Sequence, residues 1–146
     1  MKEAGDIVNV SSIIETEPWG FNDNIPFYNQ VIELHTPLLA DALMRKLLDI
    51  EKKLGRTREG KGYAGRTMDL DILFYDNTII HSELLQIPHP RLHLRLFVLQ
   101  PLAEIAPTFV HPLFKKNIST LLNELPDNKS FRKVLSVADF INQANK

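Results

Sequence analysis

The 146-residue chain has no cysteine and no excess of basic residues. Without cysteine, nothing in the sequence requires an oxidising compartment. The formal net charge of -1 argues against a protein whose main role is nucleic-acid binding, because such domains usually carry a basic excess. No apolar run approaches the roughly 18 residues that cross a bilayer, and the first residues lack the pattern of a secretory signal. The sequence therefore predicts a cytoplasmic protein with neither nucleic acid nor membrane as a partner.

The composition is that of an ordinary globular protein. Hydrophobic residues make up 44% of the chain, and a chain of this length can build one substantial core but not two large ones. We therefore predict a single domain spanning residues 1–146.

Two aspartates stand two residues apart in the segment 65–75, which reads GRTMDLDILFY. Side chains alternate across a strand, so Asp69 and Asp71 would share one face, with backbone positions roughly 6.6 Å apart. Leu70 and Ile72 would then enter a core on the opposite face. Two neighbouring carboxylates suit magnesium, which takes one or two of them together with water and substrate phosphate. The alternative is the solvent-exposed side of an amphipathic strand.

The segment 55–66 holds four of the six glycines and a cluster of basic residues. Arginine binds phosphate oxygens through two parallel hydrogen bonds, and glycines allow a loop to close on a ligand. A solvated basic loop is the alternative, but the neighbouring carboxylates favour a polyphosphate site. The segment also matches G-x-G-x-x-G; we reject a dinucleotide site, because here a helix precedes the glycines and a strand follows them. The basic residues are Arg56, Arg58, Lys61 and Arg66.

The periodicity of apolar residues predicts an α+β fold. Consecutive pairs of strands with helices between them favour a mainly antiparallel sheet with helices on its faces over a doubly wound parallel sheet. The predicted elements are a strand at 6–16 paired antiparallel with one at 27–35, a helix that begins after Thr36 and ends at Gly55, the acidic strand, a return strand at 78–80, a helix from about Pro90 and a short helix at 117–125.

Further polar and aromatic residues are candidates for ligand binding. His89 stands between two prolines, and Arg95 could bring a guanidinium to a phosphate; a structural histidine is the alternative. Phe27 and Phe97 are core residues by default. Asn29 would share a strand face with Phe27, where it could hydrogen-bond a flat heterocycle.

Taken together, these segments resemble the 6-hydroxymethyl-7,8-dihydropterin pyrophosphokinase family of folate biosynthesis. The segment 65–75 resembles the family signature nearly position for position. The resemblance implies a ferredoxin-like fold of αβα layers, with helices on both faces of a mainly antiparallel sheet. Supporting segments are TEPWG at 16–20, FYN at 27–29, IE at 50–51, GRTR at 55–58, PHPR at 88–91 and PLAEIAP at 101–107.

The resemblance also implies an activity, which is the transfer of pyrophosphate from ATP to the pterin hydroxymethyl group with release of AMP. ATP would be the co-substrate, two magnesium ions would be required, and other folate-pathway enzymes are candidate partners. The implied catalytic residues are Arg56, Arg66, Asp69 and Asp71, of which the two aspartates are also the metal ligands. The implied pterin-binding residues are Thr16, Trp19, Phe27, Asn29 and Phe97. The implied ATP-binding residues are Glu51, Arg58, Tyr63, Ile72, His89 and Arg95.

Two other functions remain open from the sequence. The chain could bind pterin or nucleotide without turnover, or it could be a magnesium-dependent phosphohydrolase that uses the same aspartates. The family normally begins with a strand ending in a Gly-Ser-Asn-type segment, followed by a helix, and this chain starts near the end of that helix. Because that strand is interior in the family's sheet, we expect its neighbours to lack a ladder partner in this chain. Either the sequence is a truncated version of a longer chain, which we favour, or another segment or subunit takes the place of the strand.

Overall fold

The computed structural model describes residues 3–16, 27–58, 69–126, 133–136 and 138. Short strands and helices alternate along the chain, and β1 pairs with β4, β2 lies between β3 and β7, and β5 pairs with β6. The elements are β1 (Asp6–Val10), β2 (Ile13–Thr16), β3 (Phe27–Asn29), β4 (Ile32–His35), α1 (Ala40–Arg58), β5 (Ile80–His81), β6 (Gln86–Ile87), a 3-10 helix (Leu92–Leu94), α2 (Leu96–Ile105), α3 (Ile118–Asn123) and β7 (Lys133–Leu135).

The chain divides into two compact units. The first unit comprises Met1–Asp6 and Leu34–Pro90, and the second comprises Ile7–Glu33 and Arg91–Lys146. The single-domain organisation expected from the sequence stays a prediction.

Helix α1 supplies the core of the first unit. Its apolar residues recur at three- and four-residue spacing, so they form one face that is removed from water. Leu43 and Leu47, each 5% exposed, lie in one cluster with Ile72 and Ile87. The helix is preceded by Thr36, whose Oγ1 accepts a hydrogen bond from the backbone N–H of Leu38 at 3.1 Å. Helix α1 begins only at Ala40, and its first backbone bond runs from the Leu43 N–H to the Leu39 carbonyl at 2.8 Å, so Thr36 stabilises the bend before the helix and the hydroxyl cap predicted there is wrong.

The C-terminal end of α1 differs from the sequence-based prediction. The helix continues to Arg58 rather than ending at Gly55. Glycine within a helix costs only about 1 kcal/mol relative to alanine, so a long helix with a well-packed face can include one. Leu39, the residue before the helix, is 77% exposed and takes no part in the buried face.

Residues 69–75 are not part of a described sheet, so the strand predicted there is wrong. A strand requires a neighbouring ladder, and the described strands pair only with one another. The expected alternation is nevertheless present, because Asp69 and Asp71 are exposed, Leu70 is half-buried and Ile72 is buried. The segment is held to the rest of the unit by other bonds, among them one of 2.9 Å from the His89 N–H to the Leu73 carbonyl.

The second unit contains a three-stranded antiparallel sheet. Strand β2 pairs with β3 in the register Ile14 opposite Asn29 and Thr16 opposite Phe27, and it pairs antiparallel with β7 on its other side. The antiparallel pairing expected from the sequence is confirmed. Ser11 fixes the approach to β2, because its Oγ accepts from the Val31 N–H at 2.9 Å.

Helices α2 and α3 pack together in the second unit. Leu92, Leu99 and Ile118 are completely buried there. Asn117 caps α3, since its side chain accepts from the Thr120 N–H at 2.8 Å. Short antiparallel sheets combined with helices confirm the α+β class. Among the described residues, no helix combines the length and the apolar character needed to cross a bilayer.

A buried histidine organises the turn before α3. The Nδ1 atom of His111 accepts from the N–H groups of Leu113 at 3.1 Å and Phe114 at 3.2 Å. Its ring stacks on that of Phe114. The His93 ring meets Phe114 edge-on, with the centroids of these two rings 4.7 Å apart. Burial lowers the pKa of His111 below its ordinary value of 6.5, and the charge of His93 lowers it further. The turn therefore requires a neutral His111, because a protonated Nδ1 cannot accept a hydrogen bond.

We predict that His111 makes the stability of the protein fall under mildly acidic conditions. Since the folded-state pKa is lowered, the unfolded chain binds more protons below about pH 6.5, and the stabilisation present above that pH is lost as the pH falls. The variant His111→Asn keeps an acceptor near the Nδ1 position but does not titrate. The free energy of unfolding, measured by urea denaturation between pH 7.5 and 5, should fall less steeply in the variant than in the wild type. Parallel curves would contradict this assignment.

Candidate phosphate and pterin sites

The acidic pair lies on the exposed side of the segment that follows α1. Asp69 and Asp71 are both exposed, whereas Ile72 is only 8% exposed and belongs to the core of the first unit. The backbone N–H of Leu70, between the two aspartates, donates to Glu51 Oε2 at 2.5 Å. Helix α1 and the core thus hold the segment from two directions.

The surroundings of the pair fit a divalent cation. In the described part of the chain, neither carboxylate has a basic side chain in an ion pair. Nor do the described residues bring three acidic or histidine side chains together as a complete metal site. Magnesium does not need one, because it commonly binds one or two carboxylates and fills its remaining positions with water and phosphate oxygens. The donor set of Asp69 and Asp71 therefore suits magnesium delivered with a polyphosphate.

A cleft of about 250 Å³ lies beside Asp71. Asp71 lines it, together with Ile72 and His89, so three residues predicted to act on the nucleotide or its metal meet in one place. The sequence interpretation missed Met44, Glu83 and Gln86, because none belongs to a recognisable motif and only the fold brings them to this wall. The lining residues are Met44, Asp71, Ile72, Glu83, Leu84, Leu85, Gln86, His89 and Pro90.

Three of the predicted pterin-binding residues meet on the sheet of the second unit. Thr16 lies opposite Phe27, and its Oγ1 donates to the Phe27 carbonyl at 3.4 Å. Asn29 is two residues further along β3 and therefore shares a face with Phe27. Phe27 is 39% exposed, so the default interpretation of this ring as a core residue is wrong.

Phe97 and Arg95 lie at the start of α2, which packs against β2 in the same unit. The Arg95 guanidinium carbon is 5.7 Å from the centroid of the Phe97 ring, within the range of a cation–π interaction. Phe97 is half-buried, which leaves part of its surface accessible to a ligand.

Several predicted site residues lie outside the described part of the chain. They are Trp19, Tyr63 and Arg66, together with the side chains of Arg56 and Arg58, whose backbone forms the last turn of α1.

An exposed carboxylate pair beside a cleft, on an α+β fold, is an arrangement suited to binding a polyphosphate through a divalent cation. The model of the family 7,8-dihydro-6-hydroxymethylpterin-pyrophosphokinase matches residues 1–107, and this chain belongs to that family.

Curated relatives support the same assignment. The chain is 37% identical over 116 residues to the 2-amino-4-hydroxy-6-hydroxymethyldihydropteridine pyrophosphokinase of Aquifex aeolicus, covering 80% of this chain and 72% of that protein. The enzyme of the same name from Bacillus subtilis is 48% identical over 99 residues, covering 68% of this chain but only 59% of the relative. The folic acid synthesis protein fol1 of Pneumocystis carinii is 41% identical over 123 residues, which are 84% of this chain and 16% of that protein.

Proposed function

We propose that this chain transfers the pyrophosphoryl group of ATP to the hydroxymethyl group of 6-hydroxymethyl-7,8-dihydropterin and releases AMP, a step in folate biosynthesis. Family membership supports this activity. The structural observation that carries the proposal is the exposed pair Asp69 and Asp71, of which Asp71 also lines the cleft. The cytoplasmic location and the association with other folate-pathway enzymes belong to the same proposal.

The reaction needs little covalent participation by the protein. A bond forms between the hydroxymethyl oxygen and the β-phosphorus, the bond from that phosphorus to the α,β-bridging oxygen breaks, and this oxygen leaves with AMP. The hydroxyl proton passes to solvent. Placement of the two oxygens in line and stabilisation of phosphate charge can account for most of the rate, so the lack of an evident general base is no objection.

In this scheme Asp69 and Asp71 would hold two magnesium ions, which would supply positive charge to the phosphate oxygens. Arg56 and Arg66 stabilise the triphosphate as its charge redistributes.

The nucleotide would bind at the cleft of the first unit, where Ile72 and His89 lie beside Asp71. Ile72 offers an apolar contact and His89 a polar one, and the His89 backbone is tied to Leu73. Among the remaining residues that the family resemblance assigns to ATP, Arg58, Tyr63 and Arg95 are proposed to contact the nucleotide, whereas Glu51 acts through the backbone between the two aspartates.

The pterin would bind in the second unit through the exposed face of Phe27, the side chain of Asn29 and the ring of Phe97. An amide both donates and accepts, which matches the alternating donors and acceptors on the edge of a pterin. The proximity of Thr16 to Phe27 supports this grouping. Thr16 and Trp19 complete the proposed set.

Product analysis tests the proposed reaction. The chain is incubated with ATP, magnesium and 6-hydroxymethyl-7,8-dihydropterin, and the nucleotides and pterins are separated by chromatography. Equal amounts of AMP and pterin diphosphate are expected. ADP or free phosphate would instead indicate a different phosphoryl reaction, and ligand binding without any product would indicate a non-catalytic domain.

We predict that Asp71→Asn lowers the rate of AMP formation at least about a hundredfold, comparable to the loss of about 3 kcal/mol that follows removal of a group acting on transition-state charge. The matched control is Asp76→Asn, an exposed aspartate at a turn with φ of 50°, a conformation that asparagine tolerates. It should retain the wild-type rate. Near-normal turnover by Asp71→Asn, with unchanged circular dichroism, would refute the metal assignment.

We also predict that Asn29→Ala raises the KM for the pterin about tenfold while changing the KM for ATP less than twofold. The reason is that one hydrogen bond to a ligand contributes on the order of 1 kcal/mol or slightly more. Asn9→Ala removes an exposed asparagine from β1 and serves as the control. Equal increases in both KM values would contradict a role for Asn29 in reading the pterin.

A further inference from the structure

Glu51 contacts the backbone between the two aspartates rather than either carboxylate. Its Oε2 atom accepts the N–H of Leu70 at 2.5 Å, and the side chain reaches this amide from α1. The bonded N–H belongs to the peptide that joins Asp69 to Leu70, so the bond constrains the short piece of backbone from which both carboxylates project. A bond at this one amide therefore acts on the pair as a whole.

The amide needs such a partner because residues 69–75 lack the ladder of a described sheet. In a strand, a neighbouring carbonyl would accept this N–H and fix the peptide plane. Here a carboxylate takes that place, and a charged acceptor forms a stronger hydrogen bond than a neutral carbonyl. The Leu70 side chain packs against the core of the first unit, which holds the residue from the opposite side.

The position of Glu51 on α1 makes it a firm attachment point. Leu47, one turn earlier, is 5% exposed, and Ile50 also packs against the core. The helix therefore cannot rotate about its axis without unpacking this face. Asp49 lies nearby on the exposed surface of the helix, where it pairs with Lys53 at 3.4 Å, and it makes no comparable contact with the acidic segment.

Two other roles for Glu51 are less well supported by the geometry. As a third metal ligand it would have to join Asp69 and Asp71 in one cluster, and the described residues contain no cluster of three such side chains. A direct contact to ATP would use Oε1 or share Oε2, which accepts the Leu70 amide, and the experiments below separate this role from positioning.

We propose that Glu51 is a positioning residue, which orients Asp69 and Asp71 for metal binding by holding the Leu70 peptide between them. The inference rests on the proposed function only for the statement that the two aspartates bind the metal. The hydrogen bond itself is independent of that function and can be tested in the absence of metal and nucleotide.

The first experiment measures hydrogen exchange at the Leu70 amide by NMR, with neither metal nor substrate present. Glu51→Ala removes the acceptor and should increase exchange at least tenfold relative to the wild type. Glu51→Gln keeps an acceptor oxygen and should restore protection to within about threefold of the wild-type rate. Asp49→Ala, which removes a carboxylate two residues away on the same helix, should leave the rate unchanged. Equal protection in Glu51→Ala and the wild type would overturn the proposal.

The second experiment measures Mn²⁺ binding by electron paramagnetic resonance with a non-hydrolysable ATP analogue present. The Mn²⁺ dissociation constant should rise about tenfold in Glu51→Ala and stay within about twofold of the wild type in Glu51→Gln and Asp49→Ala. If Glu51 instead contacted ATP directly, both Glu51 variants would also weaken binding of the analogue measured without metal. That outcome would overturn the positioning role. So would faster exchange of the Leu70 amide in Glu51→Ala without any change in the Mn²⁺ dissociation constant.

The two proposals fail in distinguishable ways. If wild-type protein forms no AMP but Glu51→Ala still loses amide protection and Mn²⁺ affinity, the reaction is wrong and the positioning role stands. If the wild type forms AMP but Mn²⁺ affinity does not depend on Glu51, the proposed reaction stands and the positioning role is wrong. Should Glu51→Ala fail to fold, Glu51→Met keeps the length of the side chain without an acceptor and carries the same measurements.

Discussion

The packing of α1 against residues 70–75 is the constraint on which the first unit depends. The apolar face of the helix buries Leu43 and Leu47 in the same cluster as Ile72 and Ile87. Once Ile72 enters that cluster, alternation along the chain turns Asp69 and Asp71 outward. The exposure of the acidic pair is therefore a consequence of hydrophobic burial.

How far the sequence could predict this arrangement depends on whether a feature is local. Alternation of apolar and acidic residues at 69–72 was predictable, because it requires only neighbouring residues. Whether residues 69–75 join a sheet was not predictable, since a strand also needs a partner elsewhere in the chain. The prediction that α1 ends at Gly55 was wrong for a similar reason, because packing over the preceding turns outweighs the weak helix-ending preference of one glycine.

The residues that line the cleft show the same limit on what the sequence can predict about the candidate site. Asp71, Ile72 and His89 were predicted from motif resemblance, whereas Met44 and Gln86 reach the wall only because α1 and β6 belong to one unit. A single glutamine or methionine carries no sequence pattern that could signal such a position. In the second unit, the exposed ring of Phe27 contradicts its default assignment to a core, and here an antiparallel register decides which residues share a surface.

Exposure of both aspartates also has an electrostatic reason. Two like unit charges roughly 4 Å apart repel by about 1 kcal/mol in water, and by several times more at the lower effective dielectric of a buried site. Keeping both carboxylates in solvent limits this cost before a ligand binds. An arginine or lysine between them would remove the repulsion, but it would also neutralise the charge that attracts a divalent cation. A backbone bond from Glu51 fixes the geometry and leaves that negative charge intact, which is what a site completed by a metal and a polyphosphate requires.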